Sequence, residues 1–203
     1  MSEQSNYWSS NHDYIERNSK FNHELGVKAW TQILDNRLDH INSVIDCGAN
    51  IGRNISFLKD SRLVPNAEFY ALDINQDALK KLNSVFPDVQ TQNVNLLDFS
   101  VEKTFDLVFT SGVLIHVDPK NLHSVFGNLM KVTKKYLLMI EYFNRTLIEI
   151  PYHGKERLLW KMDFGKEFIQ FSGWNVVDYG FLWGHEYDSC GFDDCNYWIF
   201  ERR

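Results

Sequence analysis

One stretch limits what this chain can fold into: VIDCGANIGRN, Val44 to Asn54. A run that can fill a buried parallel strand, Ser43, Val44 and Ile45, ends at an acid, Asp46, and turns through Gly48, Asn50 and Gly52 into residues with helical spacing. A strand, a tight glycine-bearing turn and a helix N-terminus is the arrangement by which doubly wound α/β sheets hold a nucleotide-like ligand at the carboxyl edge of the sheet. The spacing narrows the ligand. A dinucleotide fingerprint needs G-x-G-x-x-G, and Asn50 and Arg53 stand at its second and third glycine positions, which disfavours NAD.

What stands here is D-x-G-x-N-x-G, which resembles motif I of the class I S-adenosylmethionine-dependent methyltransferases, with Asn50 in place of the usual middle glycine. Asn tolerates left-handed backbone better than most residues, so the departure costs little. A second acid is expected at the end of the next strand, to accept hydrogen bonds from the cofactor ribose. The run EFYALDIN, Glu68 to Asn75, reads as that strand, and Asp73 lies 21 residues past Gly52, close to the roughly 20 expected of a ribose-binding acid. Asp73 has no other evident role in the sequence than to receive two ribose hydroxyls.

The chain of 203 residues suits one domain, 1–203, with a sizeable core. No apolar run approaches membrane-spanning length, and the polar start MSEQSNYWSSNHDY does not resemble a signal peptide, so a cytoplasmic protein without membrane association is expected. A formal charge of −6 argues against a general affinity for nucleic acid, which requires a basic face. His185, Cys190 and Cys195 could be drawn as a metal site, but there is no C-x-x-C and the ligand count is poor, so the reading is reduced thiols and no metal.

Taken in order, residues 1–20 read as a short helical cap punctuated by Tyr7, Trp8 and Tyr14, with Tyr14 and Arg17 on one helical face. Arg17 would meet the methionine carboxylate and Tyr14 the sulfonium; a surface helix docked on the core is the alternative. Val27 to Leu38 carries helical spacing. Helices are expected over 51–58, over 75–86 with Asn75 as N-cap, and over 121–132 behind Asp118 and Pro119. Strands are expected at 89–94, 105–110 and 136–140. This βαβα alternation argues a mostly parallel sheet, and 174–182 with 195–201 reads as its closing antiparallel hairpin.

Between the fifth strand and the next helix lies NRTLIEIPYHGKERLLWKMDFG, residues 144–165, too long for an ordinary connection and read as an inserted substrate flap. It carries Arg145, His153, Lys155, Arg157 and Lys161, whereas 167–201 contains no Lys or Arg. A basic flap facing an acidic last third suits an acceptor with an anionic part.

Beyond the glycine turn, GANIGRN, DLVFTSGVLIHVDP, LLMIEYFN, IPYHGKERLLWKMDFG, VDYGFLWGHE and DDCNYWIFE, in this order, resemble the bacterial pseudaminic acid biosynthesis-associated methylases across nearly the whole chain. Where that family reads Y-R-G and K-R-D-F-A-G, this chain has Tyr152-His153-Gly154 and Lys161-Met162-Asp163-Phe164-Gly165. The resemblance implies a Rossmann-like sheet of seven strands with S-adenosyl-L-methionine as cofactor. It also implies methylation at O or N of a small molecule, a surface-glycan or nonulosonic-acid-type sugar precursor. Capsule or natural-product methylation fits the residues equally.

The expected cofactor set is then Asp46, Gly48, Asn50, Gly52, Asp73 and Ile74 around the first two strands, Asn95 and Leu96 for the adenine, Ser111 after the fourth strand, and Tyr14 and Arg17 from the cap. Substrate candidates are Tyr142, Tyr152, Arg157, Lys161, Tyr179 and His185. Candidates for a proton-accepting group are His116, His153 and Glu141, with His185 behind them. Two other classes remain at this point: a non-catalytic module that binds the cofactor for a partner enzyme, and an enzyme acting on protein or RNA. The long polar flap favours chemistry on a small molecule.

Overall fold

The computed structural model describes residues 3–10, 15–16, 18–34, 38 and 40–203. Tyr14 and Arg17 lie outside the described residues. A short helix, α1 (Glu3–Ser9), and a longer one, α2 (His23–Leu34), precede the sheet. The alternation that follows is β1 (Ser43–Cys47), α3 (Arg53–Ser61), β2 (Glu68–Asp73), α4 (Gln76–Val85), β3 (Gln90–Asn93), β4 (Phe105–Ser111), α5 (Leu122–Val132) and β5 (Thr133–Tyr142). A two-stranded excursion, β6 (Ile148–Glu149) and β7 (Trp160–Lys161), leads to α6 (Phe164–Ser172), and β8 (Asn175–Leu182) and β9 (Cys195–Glu201) close the chain.

The sheet runs β3-β2-β1-β4-β5-β9-β8. The β1–β2, β1–β4, β2–β3 and β4–β5 pairs are parallel, and β9 is antiparallel to both β5 and β8. This is the expected seven-stranded sheet with its closing hairpin. The order reverses between β1 and β4, and a doubly wound sheet opens a crevice at that point, outside the carboxyl ends of the strands.

The strands read as near-continuous apolar runs because helices cover both faces. Val44, Phe69, Leu107, Phe109 and Leu138 point to the side packed by Trp30 and Ile33 of α2 and Phe57 of α3. Their sequence neighbours Ile45, Val108, Leu137 and Met139 point to the side packed by Val125 and Phe126 of α5 and Phe168 of α6. Each strand therefore serves two cores with a period of two. The exception within β1 is Asp46, fully buried in an otherwise apolar strand.

Several boundaries moved for local reasons. α3 begins two residues later than its apolar spacing suggests, because Gly52 occupies the left-handed region (φ 84) and still belongs to the turn; it ends where Arg62 does the same (φ 59). Asn75 caps α4 as expected, its side-chain oxygen accepting from the Asp77 and Ala78 amides. Asp118 caps a 3-10 turn over Pro119–Asn121, and α5 starts only after it. β5 is ten residues long, so Glu141 and Tyr142 lie within the strand.

Candidate cofactor and acceptor site

The turn after β1 is held from outside. The amides of Gly48 and Ala49 both donate to the Leu72 carbonyl at 2.8 Å, and the Gly52 amide donates to Ala49 O at 2.9 Å. Asn50 takes a left-handed conformation (φ 49) that turns its own amide onto Asp73 Oδ2 at 2.7 Å. Gly48 sits at φ 102, and a Cβ there would collide with Val113 Cγ2. The Val113 side chain of the turn after β4 thus lies too close to the turn after β1 for any side chain at position 48.

A cavity opens where these turns meet. Gly48, Asp73 and Ile74 form one wall; Val94, Asn95, Leu96 and Leu97 after β3 form the second; Gly112, Val113, His116, Val117, Asp118 and Asn121 after β4 form the third; Ser5 and Trp8 of α1 roof it. The roof is fixed by polar contacts as well as rings. Asn95 Nδ2 donates to Ser5 Oγ at 3.0 Å, Asn75 Nδ2 donates to the Trp8 carbonyl at 3.3 Å, and the Trp8 ring lies 4.1 Å from that of His116 and 5.6 Å from that of Tyr152.

Asp73 is the acid expected at the end of β2, and its carboxylate also braces the turns around it. Its Oδ2 accepts from Asn50 and its Oδ1 from the Asn75 amide at 2.7 Å. Burial pushes its carboxyl above the ordinary range, against the amides of Asn75, Asn50 and Ile74, which favour the anion. Asp46 lies buried beneath the same turn, and neither carboxylate oxygen has a hydrogen-bond partner. Desolvation raises its pKa well above normal, the nearby Asp73 adds to this, and Arg53 opposes it. Arg53, at the first position of α3, extends to Asn18 Oδ1 at 2.9 Å.

Of the other expected cofactor residues, Gly48, Ile74, Asn95 and Leu96 line the cavity. The Asn95 side chain is already engaged, its Oδ1 accepting from the Leu97 amide at 2.9 Å while its amide group holds α1. Gly52 belongs to the turn behind the cavity, and Ser111 ends β4 one residue before the wall begins.

The acceptor candidates divide. His116 lines the cavity, and its Nδ1 lies 2.7 Å from the Leu158 carbonyl of the flap. A carbonyl only accepts, so Nδ1 carries a proton and the neutral ring keeps Nε2 as its acceptor. Tyr152, in a tight turn with Lys155, packs edge-on to His116 at 5.3 Å. Lys161 Nζ stands over the Tyr142 ring at 4.5 Å. Arg157 reaches Asp118 Oδ2 at 3.8 Å, and Lys155 Nζ stands 4.5 Å from the centre of the Tyr7 ring. The flap therefore docks on both the cavity rim and α1.

Four candidates stand elsewhere. Glu141 is wholly buried, and its carboxylate accepts from main-chain amides and does not line the cavity. His153 is exposed, with its ring edge-on to Tyr152. Tyr179 is 70% exposed on the edge strand β8, and His185 is exposed beside the Trp183 ring. Residue spacing alone missed Ser5, Val113, Val117 and Asn121 as wall residues, and read Trp8 and Asp118 only as cap aromatic and helix cap. Trp8 was the one with a visible signal, an aromatic in an otherwise polar leader. Among the described residues no group of three or more His, Cys, Asp or Glu could hold a metal ion, and no helix is long and apolar enough to cross a membrane.

The sequence matches the methyltransferase domain family over residues 45–135. The fold is similar to that of 1,6-didemethyltoxoflavin-N1-methyltransferase from Burkholderia thailandensis, solved with 1,6-didemethyltoxoflavin and S-adenosylhomocysteine; identity is 14%, coverage is 98% of this chain and 86% of that one, and the TM-score is 0.74. It is also similar to magnesium protoporphyrin IX methyltransferase from Synechocystis PCC 6803 with S-adenosylmethionine bound, at 14% identity, 100% and 99% coverage and a TM-score of 0.69. N-methyltransferase NodS from Bradyrhizobium japonicum WM9, in complex with S-adenosylhomocysteine, matches at 14% identity, 98% and 96% coverage and a TM-score of 0.65. No curated protein sequence matches the chain.

Such identities carry the fold, that of the class I methyltransferases. With the domain match added, residues 45–135 carry a methyltransferase domain on that fold. The crevice offers a close-packed turn at Gly48, a buried acid at Asp73 and an apolar slot between Ile74 and Leu96.

Proposed function

We propose that this enzyme methylates an O or N atom of a small molecule with an anionic part, a sugar precursor of the surface-glycan or nonulosonic-acid type. The observation that carries this reading is the docking of the inserted flap on His116, with the Leu158 carbonyl on Nδ1 and Tyr152 against the ring. The flap also carries Lys161, whose Nζ lies over the Tyr142 ring. Cation, aromatic rings and an imidazole acceptor together suit a polar acceptor with a negative group better than a flat apolar one.

When bound, S-adenosylmethionine supplies an electrophilic methyl group on a sulfonium. Asp73 would receive the ribose hydroxyls with the acceptor sites left by Asn50 and Asn75, and Ile74 and Leu96 would flank the adenine. Asp46, buried beneath the turn with its pKa raised well above normal, would lie behind the amino-acid end. Displacement at a sulfonium disperses charge, so alignment and exclusion of water by Trp8 and the flap supply much of the rate. His116 Nε2 would take the proton of the acceptor, and Lys161 would hold the acceptor's anionic group.

The test measures turnover on acidic sugar precursors against their neutral counterparts, in the wild type, Lys161→Ala and His116→Ala. The expected result is a raised KM at nearly unchanged kcat for Lys161→Ala on acidic acceptors, and a lowered kcat with an altered pH profile for His116→Ala. Equal turnover of acidic and neutral acceptors, with wild-type kinetics in Lys161→Ala, would remove the anionic acceptor from the reading.

A further inference from the structure

Among the described residues no cation pairs with Glu141, a fully buried acid. The groups that act on it are amides and a hydroxyl. Its Oε2 accepts from the Val113 amide at 3.0 Å and the Ile115 amide at 3.4 Å, and its Oε1 lies 3.3 Å from the Val113 amide. The Thr110 hydroxyl of β4 is close enough to favour the anion electrostatically but lies outside hydrogen-bond geometry. The preceding residue in β5 adds a main-chain bond, Gly112 N–H to Ile140 O at 2.8 Å.

The main-chain contacts converge on residues 112–116, the turn that supplies Gly112, Val113 and His116 to the cavity wall. Val113 in turn abuts Gly48. A buried carboxylate is costly, and a neutral side chain of the same shape would avoid that cost. A carboxylate accepts through both oxygens and carries charge, whereas a glutamine accepts through one oxygen only and is neutral, so it holds the Val113 and Ile115 amides less strongly.

We propose that Glu141 is a positioning residue, whose ionised carboxylate holds the Gly112–His116 turn in the form that receives the cofactor and presents His116 Nε2 to the acceptor. The proposal rests on the methyltransferase reading and assigns Glu141 no contact with cofactor or acceptor. Burial raises its pKa from 4.5 to about 7, against the amides and Thr110, so the turn gains or loses its anchor within the neutral range. The other titratable group facing it is the Cys195 thiol of β9, pushed up to about 12 by burial and by Glu141 itself, and therefore neutral throughout. Lys161 lies over the ring of the adjacent Tyr142, and His116 ends the same turn.

The experiment is calorimetric titration with S-adenosylhomocysteine, which needs no acceptor, between about pH 6 and pH 8, for the wild type, Glu141→Gln and Glu141→Asp, each checked for cooperative unfolding. Wild-type affinity is expected to rise severalfold with pH, Glu141→Gln to bind about tenfold more weakly at high pH with a flat profile, and Glu141→Asp to bind weakly but keep the slope. Wild-type affinity in Glu141→Gln, or a slope that survives in Glu141→Gln and so belongs to His116 or another group, would overturn the proposal. A flat wild-type profile would do the same if Glu141→Gln does not fold. Failure of the wild type to bind S-adenosylhomocysteine at any pH would instead strike the cofactor reading.

Discussion

The main-chain N–H of Asn50 donates to Asp73 Oδ2 at 2.7 Å, so the acid at the end of β2 also fixes the turn at the end of β1. The same carboxylate accepts from Asn75 through its other oxygen, at the N-cap of α4. Asp73 is thus part of the scaffold that shapes the crevice, and removing it affects more than any ligand contact.

Asp73→Ala is therefore expected to weaken S-adenosylhomocysteine binding and to lower stability together. Two buried amides lose their acceptor, which costs about 1–3 kcal/mol apiece. Calorimetry and urea unfolding measure the two losses separately. A folded variant with unchanged affinity would contradict the placement of the ribose at Asp73.

Gly48→Ala should destabilise the protein by about 1–3 kcal/mol, since the residue lies at φ 102 and the added methyl group meets Val113 Cγ2. Part of that cost is steric and part is conformational. Val113→Ala in the same background should recover the steric part, leaving a favourable coupling energy in a double-mutant cycle measured by chemical denaturation. Strict additivity would mean that the two turns do not press on one another.

Glu141 also makes stability depend on pH in a direction opposite to that of an ordinary salt-bridged acid. Its folded pKa of about 7 lies above the unfolded value near 4.5, so its contribution is complete below the unfolded value and is lost as pH rises through 7. The loss is on the order of 3 kcal/mol at most. Unfolding free energies measured from about pH 5 to pH 8 should decline in the wild type relative to Glu141→Gln; parallel curves would argue against the raised value. The ionised form costs stability while anchoring the His116 turn.

Trp8→Ala removes the ring that lies on His116 and Tyr152, although the Trp8 carbonyl can still accept from Asn75. Loss of the aromatic contacts, about 0.5–1.5 kcal/mol beyond area burial, should weaken cofactor binding several-fold while the melting temperature changes little, because α1 contributes little to either core. Stopped-flow release of S-adenosylhomocysteine should be faster. An unchanged release rate would reduce the helix to packing.

The sequence by itself determined the sheet and the kind of ligand. The D-x-G-x-N-x-G turn, the acid 21 residues after Gly52, and apolar strands alternating with helical segments are local patterns, set by backbone conformation and the period of side chains along an element. They were enough to place Gly48, Asp73, Ile74, Asn95 and Leu96 at one edge. Tertiary structure decided what those patterns do not encode. Val113 fills the space over Gly48, Trp8 reaches from the N-terminal helix to His116, and the Leu158 carbonyl selects the tautomer of that histidine; each contact joins segments whose separation in sequence carries no signal. The same is true of Glu141, an acid at the end of a buried strand that reads equally as a base. Only the amides of Val113 and Ile115, brought to it by the pairing of β4 with β5, turn its carboxylate into an anchor, because the geometry of the donors determines what a buried charge can do.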